Sequence, residues 1–212
     1  MIVNLTMVFY LYEKPAKETN PFLAQLERVL PLPFVVEGRE NTIPDEDWEY
    51  PIAGTGFVAL TDDYVAEMHL TPAQRFPWDS SKGLYFLQGH HNLHCVKMVR
   101  KSILEYRNHS KQTEHHLHID HCLTGLRENV LCEADDTPRH TGGHHKQPGS
   151  GQDQVRLCRD WAKLDQWADE RSACFKEPED WYDGKPESER YKFCPDGSEP
   201  WKMLETNSKT GA

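Results

Sequence analysis

The stretches HHNLHCVKMVRKSILEYRN, residues 90–108, and HIDHCLTGLRENVLC, residues 118–132, carry one motif twice. His91-Asn-Leu-His94-Cys95 and His118-Ile-Asp-His121-Cys122 both read H-x-x-H-C and lie 27 residues apart. The same offset places Val96 on Leu123, Val99 on Leu126, Arg100 on Arg127 and Ile103 on Val130. Leu93, Val96, Val99 and Ile103, then Ile119, Leu123, Leu126 and Val130, recur at helical spacing. They predict one helix from about His90 to Asn108 and a second from about His118 to Cys132. With two copies this is a local helix duplication, not a stacked repeat array.

In each helix the two histidines share a face, since residues three apart are neighbours on the surface. That face points well away from the aliphatic stripe. Packing the stripes into the core therefore aims the histidines sideways, towards a cleft or a neighbouring element. Gly125 follows on the same face and costs about 1 kcal/mol relative to alanine inside a helix. It leaves room either for a metal or substrate, or for close helix packing. Both His pairs sit near the starts of their helices. A helix of roughly 18 residues is about 27 Å long. The connection must return along the first helix, or the helices must cross near the motifs. Otherwise the chain holds two separate sites, or a partner subunit completes one.

Imidazole suits copper, zinc, iron and nickel, and a carboxylate-free set of imidazoles suits copper. His91, His94, His118 and His121 are the candidate ligands and catalytic residues. Cys95 and Cys122 favour zinc if they ligate as thiolates. The six cysteines, Cys95, Cys122, Cys132, Cys158, Cys174 and Cys194, also permit three disulfides. Oxidised cysteines are lost as ligands, which returns the balance to histidine and copper. His90, His115 and His116 flank the motifs as substitute ligands, and His140, His144 and His145 fall in a polar loop. Arg100 and Arg127 either orient an anionic group or pair with acids such as Glu105 and Asp135. Asp135 and Asp136 either support an imidazole or cap a turn.

Twelve histidines, eight of them between His90 and His121, stand out from the composition. The net charge of -10, with no basic stripe, argues against nucleic acid as a partner. A hydrophobic content of 37% leaves much of the 212-residue chain as loop or solvated surface. The expected fold class is mainly α. It is a small helical domain on two or three core helices, with short β-strands and long disulfide-stapled loops. Residues 1–15 read as an amino-terminal tail, or as the remnant of a membrane anchor, and 16–212 as a single domain. From about residue 172 the domain is loop-rich. Thr19-Asn20-Pro21 opens a short helix that Pro31 and Pro33 stop. Gly54 to Leu60 and Gly83 to Leu87 are candidate strands, with Phe76-Pro-Trp78-Asp79 as a shaped loop between them. A third helix is expected over about Gln154 to Arg171, from Val155, Cys158, Trp161, Leu164 and Trp167. Sequons at Asn4 and Asn108 are glycosylation candidates, and with the cysteines they fit a secretory compartment.

The paired H-x-x-H-C motifs resemble the signature of the UstYa-like family of fungal biosynthetic oxidases. The resemblance extends over Phe76-Pro-Trp-Asp79, Lys82-Gly-Leu-Tyr85, Cys132-Glu-Ala-Asp-Asp-Thr-Pro138 and Cys158-Arg-Asp-Trp161. It covers roughly residues 45 to 195. It implies a secretory-pathway oxidase of secondary-metabolite (mycotoxin) biosynthesis, membrane-anchored in the family though no anchor is read in this sequence. It further implies copper as cofactor, O₂ or peroxide as co-substrate, and a peptide or small-molecule substrate. The chemistries implied are oxidative cyclisation, hydroxylation, dehydrogenation and halogenation, the last with halide. The family's motif histidines fall on His91, His94, His118 and His121. The contrasting expectation is a zinc-stabilised non-catalytic module. Another is a partner subunit of a sister oxidase, as a homodimer or heterodimer.

Overall fold

A computed structural model describes residues 26–33, 48, 56–139, 154–176 and 184–202. Residues 1–15 with Asn4, the start of the expected first helix, and His140, His144 and His145 lie outside the described residues. The fold is mixed, with helices prominent rather than mainly α. Among the described residues no helix is long and apolar enough to cross a membrane.

A three-stranded antiparallel sheet organises the front half. Strand β2 (Phe57–Thr61) pairs with β4 (Asp79–Phe86), and β4 pairs with the short β3 (Arg75–Phe76). The loop expected at Phe76–Asp79 is the turn between β3 and β4. Side chains alternate across a strand, and β2 uses both faces. Val58 and Leu60 pack with Val65 of α1 (Asp62–Glu67) and Ala168 of α4 (Trp161–Asp169). Ala59 points the other way, to Phe76, Ala173 and Tyr191. That second face is covered by the chain after α4, closed by the Cys174–Cys194 disulfide and a 3₁₀ turn at Glu187–Tyr191. Thr61 and Asp160 cap α1 and α4 by accepting backbone N–H groups.

Strand β4 runs directly into α2 (Gln88–Arg107), and α3 (His116–Glu133) follows after eight residues. These are the two expected helices, each starting two residues early, with α2 ending one residue before and α3 one residue after its expected end. Their orientation differs from expectation. The aliphatic stripes face largely outward, with Val96, Ile103, Leu123 and Val130 all exposed. The faces turned inward carry Cys95 and Cys122, at 1% and 0% exposure. Each helix has the other as its main partner. The face with the small Cys95, Cys122 and Gly125 side chains lets two backbones approach more closely than rows of leucine and valine would.

Two other expectations are corrected. Leu30–Pro33 is a strand, β1, not the end of a helix, and it pairs antiparallel with β5, Val155–Cys158. The expected third helix therefore begins only at Trp161. Proline is tolerated at Pro31 and Pro33 because a two-stranded ribbon consists of edges. Next, His90 is a fastener between elements rather than a substitute ligand. It is 4% exposed, its Nε2 lies 2.9 Å from Asp165 Oδ1 of α4, and its ring packs on Trp161. Gly56, whose carbonyl accepts the Leu87 N–H at 2.9 Å, lies flat against it. A Cβ added at Gly56 would stand 2.3 Å from His90 Cβ. Gly56→Ala is expected to lower stability by about 1–3 kcal/mol, the usual cost of overpacking, seen as an earlier midpoint in urea unfolding.

Candidate metal centre

The eight residues between α2 and α3 settle how two helix starts can meet. From Cys95, α2 continues twelve residues to Arg107, roughly 18 Å at the helical rise. The chain then turns and runs back along α2 as a strap. Gln112 Nε2 donates to the Ser102 carbonyl at 3.0 Å, and Thr113 N–H donates to Glu105 Oε2 at 2.9 Å. Lys101 Nζ donates to Glu114 Oε1 at 3.0 Å. The strap delivers the start of α3 beside the middle of α2, antiparallel to it. His115 accepts the Leu117 N–H and caps α3.

All four motif histidines then come together. The His91 and His121 ring centres are 5.6 Å apart, and so are those of His94 and His118. His91 and His94 are 6.5 Å apart with nearly parallel rings. The equality of the cross-helix pairs has a reason. Exchanging the helices by the 27-residue offset turns the His91–His121 contact into His118–His94. It turns the Cys95–Cys122 contact into itself. The helix pair thus has an approximate two-fold axis between Cys95 and Cys122, which lie next to each other. Burial, followed by the Cys95 thiol, pushes the Cys122 thiol up to about 12. These cysteines pack the interface, and the Cys95 Sγ also reaches the imidazoles, lying 3.8 Å from His91 Nε2.

The donor set fits a metal of imidazole preference. With metal–nitrogen bonds of about 2.0–2.1 Å, two imidazoles sharing one ion have ring centres at most about 6.4 Å apart. Both cross-helix pairs fall inside that limit. Among the described residues no three His, Cys, Asp or Glu side chains already converge on one point. The fit is therefore one of pairs and donor chemistry. Burial, then the neighbouring His121, His94 and His118, lower the His91 pKa from 6.5, which favours the neutral imidazole that a metal needs.

The surroundings of the two ends differ. Near His91, the Phe86 ring meets the imidazole edge-on at 5.5 Å. A Cβ at Gly125 would stand 4.0 Å from His91 Cε1, ordinary contact, so this position faces the ring and has room for a methyl group. Phe86 also lines a cavity of about 720 Å³ with Asn92, Asn129, Trp161, Leu164 and Trp167. At the other end, His118 Nδ1 lies 3.1 Å from Glu114 Oε2. Burial acts to raise the Glu114 pKa, but hydrogen bonds and charge from Lys101 and His118 outweigh it and the net shift is downward.

Several candidates are placed elsewhere. Of the six cysteines only Cys174 and Cys194 are bonded, and Cys95, Cys122, Cys132 and Cys158 are thiols. Arg100 lies over the Trp48 ring at 4.7 Å, and Arg127 pairs with Glu128 rather than with Glu105 or Asp135. Asp135 caps Thr137 and pairs with Arg28, which hold its carboxyl down to about 2. Asp136 is exposed, as are His115, His116 and the sequon residue Asn108 at the end of α2. Phe86 and Glu114 were missed by sequence reasoning. An acid one turn before a motif histidine was the available signal for Glu114.

The lowered His91 pKa has a pH signature. Below pH 6.5 the unfolded chain takes up a proton at this position that the folded chain resists, so stability falls as pH falls through that range. The metal-free protein is expected to unfold at lower urea below pH 6.5 than at neutral pH. His91→Gln is expected to reduce that dependence.

A family model described as "Mycotoxin biosynthesis protein UstYa" matches residues 18–171. The chain is 31% identical to "Chlorinase cctP2" of Talaromyces islandicus over 96% of its own length and 68% of that protein. It is 32% identical to "Hydroxylase cctR" of the same organism over 63% of its own length and 51% of that protein. It is 29% identical to "UstYa family oxidase phomYe" of Diaporthe leptostromiformis, covering 68% and 65% of the two chains. No solved structure matches. With a family model matching residues 18–171, most of its length, the chain belongs to the UstYa family.

Proposed function

We propose that this protein is a copper-dependent oxidoreductase of fungal secondary metabolism, with copper held by the His91, His94, His118 and His121 imidazoles. The observation that carries the reading is the meeting of both motifs at one junction. Two cross-helix imidazole pairs from the two helix starts each lie within reach of an ion, and Phe86, in contact with His91, lines an adjoining cavity with aromatic walls. Relatives named as oxidase, hydroxylase and chlorinase support oxidative chemistry as the general class.

Copper, when bound, supplies one-electron chemistry with O₂ or peroxide as oxidant and, for a halogenating member, halide as the transferred group. The protein's own contribution is binding, orientation and exclusion of water. Phe86 both touches His91 and lines the cavity, so a substrate group resting on Phe86 lies next to the histidine cluster. Asn92 and Asn129 give that cavity groups that both donate and accept hydrogen bonds. Its size suits a small metabolite or a short peptide segment, within the usual range of ligand sites. The choice among cyclisation, hydroxylation, dehydrogenation and halogenation then lies in which substrate bond the cavity presents.

Histidine ligation is favoured over zinc–thiolate ligation by the packing of Cys95 and Cys122 against each other, out of solvent. Protein purified without a tag is expected to take up copper, read by elemental analysis. His94→Ala and His121→Ala are each expected to remove most of that copper and abolish turnover, with an unchanged circular dichroism spectrum. Zinc alone, undisplaced by added copper and unaffected by these substitutions, would overturn the proposal.

A further inference from the structure

We infer that Glu114 is a positioning residue for the metal centre. Braced by Lys101, it holds His118 through Nδ1 and so presents Nε2 as the nitrogen available to an ion. The inference rests on His118 being a ligand, but its first test does not.

The atoms leave little freedom in the assignment. An ionised carboxylate only accepts hydrogen bonds, so at 3.1 Å the Glu114 oxygen requires His118 Nδ1 to be the protonated nitrogen. A neutral imidazole with its proton on Nδ1 has its lone pair on Nε2. The other Glu114 oxygen is taken by the Lys101 ammonium at 3.0 Å, and Lys101 belongs to α2. Glu114 therefore ties the strap to α2 with one oxygen and orients the α3 histidine with the other. Its side chain is 21% exposed, so water competes only partly for these bonds. Carboxylates behind metal-bound histidines fix ring orientation and raise ligand basicity.

The two-fold relation makes the assignment informative. His118 corresponds to His91, and the residue 27 positions before Glu114 is Leu87. One histidine of the duplicated pair is backed by a carboxylate and a lysine. Its counterpart is backed by leucine in the sequence and by the Phe86 ring in space. The duplicated ligands are chemically unequal: His118 is the fixed, electron-rich one, and His91 is the one packed on Phe86, which lines the cavity.

The first experiment reads the tautomer of His118 by long-range proton–nitrogen NMR on the metal-free protein, at alkaline pH where imidazoles are neutral. Wild type is expected to carry the proton on Nδ1, Glu114→Ala to revert to the Nε2–H form common in free histidine, and Glu114→Gln to be intermediate. The same tautomer in wild type and Glu114→Ala would overturn the inference. The second experiment titrates Cu(II) against a competing chelator. Glu114→Ala is expected to weaken binding by about 10–100-fold, and Lys101→Met to weaken it less. Equal affinity in wild type and Glu114→Ala also overturns it. Wild type that fails to bind copper would instead refute the ligand assignment, leaving the tautomer result to stand by itself.

Discussion

The contact between the Cys95 and Cys122 thiols is the constraint from which the centre follows. Both side chains are small, both are essentially excluded from solvent, and they meet on the approximate two-fold axis of the helix pair. Small residues at a crossing let two helices come close. With the crossing near these positions and the strap setting the register, His91 meets His121 and His94 meets His118. Cysteine at the fifth position of the motif thus has a spatial reason independent of metal chemistry. It is the residue about which the histidines are arranged.

The rest of the fold holds this junction in place. The sheet feeds β4 directly into α2, and His90, packed on Gly56 and paired with Asp165, fastens the first turn of α2 to both the sheet and α4. The strap does the equivalent work for α3, using Glu105, Ser102 and Lys101 as anchor points along α2. The cavity lies where these supports come together, against the Phe86 and His91 end of the centre. The arrangement has one end packed on the aromatic wall of a cavity and another end braced by charge.

Much of the site was legible in the sequence because helix periodicity and motif duplication are local properties. Both helices fell within a few residues of their expected bounds, and the four candidate histidines share one junction. What could not be read was what each helix face meets. The stripe from Leu93 to Ile103 has the spacing of a core face, yet Val96 and Ile103 are exposed, because the partner of α2 lies on its cysteine side. Likewise Val155, Cys158, Trp161 and Leu164 have helical spacing. Residues 155–158 nevertheless pair with Leu30–Pro33, more than a hundred residues away. Non-local pairing leaves no periodic trace. Glu114 is a mixed case: its spacing to His118 is a local signal, but its brace from Lys101 comes from a turn that only the fold shows.

The antiparallel pairing of the histidines ties both contacts to a single motion. If α3 slides along α2, the His91–His121 and His94–His118 contacts lengthen together, since each spans the same pair of axes. A displacement of one helical turn, about 5.4 Å, would dismantle both at once. Assembly of the four imidazoles is therefore all-or-none with respect to helix register. The length of the eight-residue strap, though remote from the imidazoles in sequence, acts as the ruler that sets it.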